Sequence, residues 1–458
     1  MNTKHPLFTI LLSCALTSVL SAAAQDWPQW RGPNRDARAT GFKAPATWPK
    51  ELKQAWKVEI GNGVASPSLV GNRLYTYSRQ DPNEVVRCLD ATTGKELWSD
   101  KSEALAPTGG AANYPGPRSS PTVAAGKVIT YGVRGTLTCF EAESGKMLWR
   151  RDGTTGSWPT FFTSSSPLIL DGLCIAQLGN DQEGSITAFD LNSGDEKWKW
   201  TGDGTAYASP VVMALGSSKL IVAQSAKRVV ALDAASGKLL WETPFVVQGG
   251  RGNNTATPIV DGEVVIYAGS GRGATAVRLA RKGDSVTANE LWKNADNSVQ
   301  FSSPVLTHGL VIGLNQANEL FCINAATGAT AWKVPTSTGQ TPAPDSPPPG
   351  AGPGPGPGAG RGPEGAPGQD GPGGGRGPGG GRGGGRGPSG FGSVCEAGSV
   401  AIALTQNPEL IVFEPKAAGF KELARIKVAD SPTHAYPILS GNRIFIKDQN
   451  SVALLTLD

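Results

Sequence analysis

The nonapeptide Asp90-Ala91-Thr92-Thr93-Gly94-Lys95-Glu96-Leu97-Trp98 decides the fold, because the chain repeats it. Well-kept copies run from Glu141 to Trp149, Asp190 to Trp198, Asp233 to Trp241 and Asn324 to Trp332, and an eroded copy ends at Trp292. Each closes a unit that opens with Ser/Thr-Pro. The openings are Ser66-Pro67, Ser120-Pro121, Ser166-Pro167, Ser209-Pro210, Thr257-Pro258 and Ser303-Pro304, with Tyr436-Pro437 as a variant. From Pro67 to Pro304 the intervals between neighbouring opening prolines are 43 to 54 residues. Inside the units lie runs such as Arg73 to Tyr77 and Glu263 to Tyr267, rich in β-branched and aromatic residues that favour strands. A period of about 45 residues with four short strands is one blade of a β-propeller. The glycine meets the need for positive φ in the hairpin turn before the last strand, and the tryptophan can lie flat against the neighbouring blade.

The count is eight blades. Seven openings are complete, and an eighth unit begins at Ser393-Val394-Cys395-Glu396-Ala397-Gly398, where the proline is lost. The last unit, from Pro437, ends without a Trp strand, whereas Gln54-Ala55-Trp56-Lys57-Val58 is a Trp strand with no unit before it. The predicted fold is therefore all-β: an eight-bladed propeller of four-stranded blades, closed by an N-terminal strand that completes the C-terminal blade.

Composition narrows the function. Lys and Arg total 42 against 38 Asp and Glu, a net charge of +4 over 458 residues, which gives no electrostatic reason for a nucleic-acid partner. Three His argue against a His-rich metal centre. Lys4, the apolar stretch from Leu7 to Leu20 and Ala22-Ala23-Ala24 read as a signal peptide over 1–24, cleaved after Ala24, which predicts a periplasmic or secreted protein. A lipoprotein signal ending at Cys14 is the rival. No other segment reads as a transmembrane span. The five Cys beyond residue 24 are an odd number, and Cys88, Cys139 and Cys322 share one place in the repeat, as expected of small buried apolar residues. Residues 25–53 form an N-terminal extension and 54–458 the propeller, interrupted at 337–390 by a Pro/Gly tract dotted with Arg361, Arg376, Arg382 and Arg386. That tract cannot bury apolar surface and is expected to be disordered.

The Asp-x-x-Thr-Gly-Lys-x-x-Trp copies resemble the tryptophan-docking motif of pyrroloquinoline-quinone (PQQ) repeat propellers, over about residues 54 to 458. That superfamily includes quinoprotein alcohol dehydrogenases and the propeller lipoprotein of the outer-membrane β-barrel assembly machinery. The opening Trp27-Pro28-Gln29-Trp30-Arg31-Gly32-Pro33-Asn34-Arg35-Asp36 is similar to the start of many secreted members. In the dehydrogenases, the resemblance implies PQQ beside Ca²⁺, under a disulfide of adjacent Cys, with an Asp as base. This chain has no Cys-Cys pair and no obvious Glu/Asn/Asp calcium set. His308 reads as a turn residue, and nothing beside His434 looks like an activated nucleophile, so no catalytic or metal-ligating residue is assigned.

A ligand is expected at the mouth of the central channel. Three residues before the opening prolines stand Val64, Arg118, Ser164, Tyr207, Thr255, Phe301 and His434, with Asn254 and Gln300 one step earlier. Loops between the second and third strands add Arg79, Arg134, Asp181, Lys227, Arg272 and Lys447. The candidate binding set is Arg118, Arg134, Tyr207, Asn254, Arg272, Gln300 and His434. Such a ring suits an anionic or carbonyl-rich ligand and is compatible with the tricarboxylate PQQ, unless its charges are ordinary solvated loop residues. Trp158 is either a stacking platform there or inter-blade packing. The residues favour a monomeric binding or scaffolding module, for an envelope protein or a small anionic ligand. A PQQ-dependent alcohol dehydrogenase and an outer-membrane protein assembly factor are the alternatives.

Overall fold

The computed structural model describes residues 25–153, 156–247, 253–337 and 390–457. They form eight four-stranded antiparallel sheets. Blades 1 to 7 span 68–103, 122–151, 168–201, 211–244, 259–294, 305–335 and 392–427. Blade 8 joins three strands within 438–456 to an outer strand from the other end of the chain, Lys53–Glu59, which runs antiparallel to Ser451–Thr456 with Trp56 beside Leu454. The ring is thus closed as the sequence predicts. Among the described residues the only helical element is a short 3₁₀ turn, Gly109–Ala111, and no helix is long and apolar enough to cross a membrane. Segments 1–24, with Cys14, and 338–389, the bulk of the Pro/Gly tract, lie outside the described residues.

The two halves of the repeat have separate jobs. The opening Ser/Thr residues tie the inner strands together around the axis. The Ser120 amide donates to Ser166 Oγ (2.9 Å), Ser166 to Ser209 (2.9 Å), Ser209 to Thr257 (3.3 Å), Thr257 to Ser303 (2.9 Å) and Tyr436 to Ser66 (2.8 Å). The closing nonapeptide ties the outer halves. Asp90 Oδ1 accepts the amides of Thr92 and Thr93, which shapes the turn. The tryptophan of the preceding blade then lies on that turn. Trp98 donates to Ala142 O (3.1 Å), Trp149 to Leu191 O (3.0 Å), Trp198 to Ala234 O (3.1 Å) and Trp56 to Ala91 O (3.2 Å). Gly237 has φ +72°, and a Cβ there would stand 2.4 Å from the Trp198 ring. The motif needs glycine for the turn and for the indole.

The five cysteines Cys88, Cys139, Cys174, Cys322 and Cys395 are free and buried. Burial pushes the Cys139 and Cys395 thiols up to about 12.

Candidate functional site

Each inner strand starts at one face of the ring, so the residues before the opening prolines crowd around the axis there. The structure brings together some of the candidate residues and spends others on the protein itself. Asn254 is fully buried. Its Nδ2 donates to Ser225 O (2.8 Å) and Phe245 O (3.2 Å), and its Oδ1 accepts from Arg272 Nη2 (2.9 Å). Arg272 also donates to Phe245 O (2.6 Å) and stacks on the Phe245 ring at 3.8 Å. Burial draws its pKa down to about 10. Arg134 donates to Leu105 O and Ala106 O (3.0 Å each) and lies 4.6 Å over the Trp158 ring, which itself stacks on Phe162. Lys447 is buried, and its Nζ donates to the carbonyls of Gly63 (2.8 Å) and Asp448 (2.9 Å). Burial, partly offset by Asp448, draws its pKa down to about 8.

What remains is aromatic. His434 meets the Tyr114 and Phe391 rings edge-on, each at 5.1 Å between centroids. Phe391 stacks on Phe301 at 4.2 Å with planes 3° apart. Burial, then the nearby Lys447, draws His434 down to about 4, so its ring is neutral at pH 7. On the other side, Tyr207 accepts the Phe161 amide (2.9 Å), and its own proton is held by burial. Gln300 Oε1 accepts from Gln316 (3.2 Å). Arg118 donates to Tyr114 O (2.8 Å) and Ala111 O (3.3 Å), while its buried Nη1 has no partner among the described residues. Burial draws Arg118 down to about 10. Leu105, Phe161, Val246 and Phe301, in the connections on this face, are 70 %, 48 %, 46 % and 39 % exposed. The mouth is therefore an apolar rim around aromatic rings, with two incompletely bonded guanidinium groups, those of Arg79 and Arg118.

Sequence reasoning missed Phe391 and Tyr114. Blade 7 lost its proline, but aligning Ala397-Gly398 with the turn Val70-Gly71 puts Ser393 at the opening serine and Phe391 in the mouth register. Tyr114 sits in the long connection between blades 1 and 2, outside any repeat position.

These features define a PQQ-type eight-bladed β-propeller. Residues 82–334, more than half of the chain, match the family model described as outer membrane protein assembly factor BamB, and the chain belongs to that family. The quinohemoprotein alcohol dehydrogenase of Comamonas testosteroni is 26 % identical over 277 residues, 58 % of this chain and 36 % of the relative. The outer membrane protein assembly factor BamB of Yersinia pestis is 25 % identical over 301 residues, 61 % of this chain and 70 % of the relative. The match spans about a third of the length of the quinohemoprotein relatives. Among solved structures, BamB from Moraxella catarrhalis aligns with a TM-score of 0.58 and 14 % identity, over 88 % of this chain and 99 % of that one. The Comamonas dehydrogenase aligns with a TM-score of 0.59 and 14 % identity, over 94 % and 80 %.

The quinone cofactor of such dehydrogenases can be tested against the side chains. A tricarboxylate needs several free donors that converge. Here Arg272, Arg134 and Lys447 already donate to main-chain or amide oxygens, Arg79 and Arg118 keep only a buried Nη1 without a partner, and Lys227 alone is exposed, so no set of free donors converges. Among the described residues no three His, Cys, Asp or Glu side chains gather closely enough to hold a metal ion. The mouth side chains as arranged do not fit PQQ with Ca²⁺.

Proposed function

We propose that the chain is a binding propeller of the cell envelope, exported by its first 24 residues, whose mouth takes an apolar, aromatic-bearing segment of another envelope protein. The observation that carries this reading is the exposed apolar rim of Leu105, Phe161, Val246 and Phe301 around the stacked Phe301, Phe391 and His434. Exposed apolar side chains grouped at one site mark an interaction surface. Membership of a family described as an outer membrane protein assembly factor supports the same partner class.

The test uses a urea-unfolded outer-membrane β-barrel protein, rapidly diluted and fluorescently labelled, titrated with the full chain. Wild type should bind saturably, and the double variant Phe161→Ser, Phe301→Ser should bind about tenfold more weakly. Equal binding by the two proteins overturns the mouth assignment. Saturable binding of PQQ with Ca²⁺ that raises Tm and is lost in Arg118→Ala would make the dehydrogenase reading the better one.

A further inference from the structure

The segment beginning Trp27-Pro28-Gln29-Trp30-Arg31-Gly32 does not lie on the outside of the propeller as an extension. It enters the axis from the face opposite the mouth, where the Asp26 carboxylate accepts the Gly71 amide in the first turn of blade 1 (2.8 Å) and the Lys43 amide donates to Gly441 O in the corresponding turn of blade 8 (2.8 Å). Between these points it touches every other blade. Trp27 exchanges both main-chain hydrogen bonds with Leu69 of blade 1 (2.8 Å each), and Pro28 O accepts the Val123 amide of blade 2 (2.8 Å). The Arg35 guanidinium donates to Ser166 O (3.2 Å) and Pro167 O where blade 3 begins, to Pro210 O where blade 4 begins (2.8 Å), and to Gln29 within the segment. Trp30 Nε1 donates to Thr257 Oγ1 before blade 5 (2.9 Å), and Arg31 donates to Pro304 O before blade 6. The Ala39 amide donates to Glu396 O of blade 7 (2.9 Å), and Arg38 pairs with the Glu396 carboxylate at 2.8 Å.

Two further observations separate this segment from ordinary packing. Arg35 is 2 % exposed, and its buried charge is tolerated because four acceptors are fixed in place for it, while Arg31, 0 % exposed, keeps one acceptor and leaves its Nε and Nη1 without a partner. The backbone is also held in the left-handed region at three non-glycine residues, Arg31 (φ 59°), Arg35 (φ 59°) and Ala37 (φ 60°). Such conformations persist where the surroundings over-determine them, as in ligand clamps. Above the segment, Trp30 meets Tyr436 edge-on at 4.8 Å, and the Tyr436 hydroxyl donates to Ser303 O across the axis (3.0 Å), so the channel has a floor beneath the mouth.

We propose that residues 25–43 are an intramolecular ligand of the propeller: a tethered plug that locks the eight blades to one another on the axis and closes the channel from behind. Ring closure by Lys53–Glu59 joins two blades, whereas the plug joins eight. A molecule bound at the mouth then enters and leaves by one face.

The experiment places a specific protease site between the exposed Ala46 and Thr47 of the full chain and cuts the folded protein. The freed N-terminal fragment should stay with the propeller through gel filtration. In the uncut chain, Arg35→Ala should lower Tm by about 5 °C, against under about 1 °C for the exposed control Lys238→Ala. Loss of the fragment with Tm unchanged overturns the proposal, as does an Arg35→Ala shift as small as the control. If Arg35→Ala does not fold, the cut protein decides.

Discussion

The seams around the ring keep different amounts of the docking motif, and Trp241 and Trp332, between blades 4 and 5 and blades 6 and 7, meet no glycine among the described residues. Between blades 1 and 2, 2 and 3, 3 and 4, and 8 and 1, an indole lies on a glycine turn and donates to a main-chain carbonyl behind it. Trp292 repeats this arrangement against Gly328 between blades 5 and 6. The seam between blades 7 and 8 has neither part. Blade 7 carries Ala424 opposite Val412, where blade 1 carries Trp98 opposite Cys88. Blade 8 has no turn between its third and outer strands, because those strands belong to opposite ends of the chain. A cleft of about 190 Å³ lined by Leu52, Lys57, Lys427, Val428, Ile446 and Leu455 opens there instead. The docking motif is thus one interaction written on two blades. Closing the ring with the N-terminal strand removes the receiving half at one seam, and the donating tryptophan is missing from the same seam.

The largest effect expected from this contrast is at an ordinary seam. Trp198 is 8 % exposed, lies on Gly237 and satisfies Ala234 O. Trp198→Ala should destabilise by about 3–5 kcal/mol in chemical denaturation, as for other large buried aromatics. A loss below about 1 kcal/mol would break the docking assignment. Trp98→Ala should follow the same trend with a smaller loss, since Trp98 is only partly buried.

The receiving half can be tested without touching the indole. In Gly237→Ala the new Cβ meets the Trp198 ring at 2.4 Å on a backbone at φ +72°. Gly216 has a similar φ, +60°, with nothing within 4 Å. Gly216→Ala should therefore cost about 1 kcal/mol, the conformational penalty alone, and Gly237→Ala about 3 kcal/mol, with overpacking added. Equal losses would mean that the glycine serves only the turn.

The same contrast explains what was legible in the sequence. Fold, blade number and closure follow from a repeat whose parts are local and alike: Ser/Thr-Pro at one end, the Gly turn and Trp at the other. The mouth was legible as a set of positions but not as chemistry. Register places Arg272 and Lys447 at the ring, yet whether a cation is free depends on carbonyls such as Phe245 O and Gly63 O, which no pattern marks. Phe391 was hidden by the lost proline. The plug was hidden for a different reason: Arg31 and Arg35 have no counterpart in any blade, so nothing in the period assigns their partners.

The smallest expected effect is at the odd seam. Ala424→Trp restores the donating half of the motif where the receiving half is absent. With no glycine turn and no carbonyl behind it, the indole would gain only partial cover from the cleft. It would leave its N–H group in solvent and lose side-chain freedom on ordering. The net change in stability should stay within about 1 kcal/mol of zero. A gain above about 2 kcal/mol would show that the cleft is shaped for an indole after all, and that the tryptophan alone was lost from an otherwise intact seam. A change near zero, beside a loss of several kcal/mol in Trp198→Ala, would place the seam's strength in the pairing of ring and turn rather than in the ring itself.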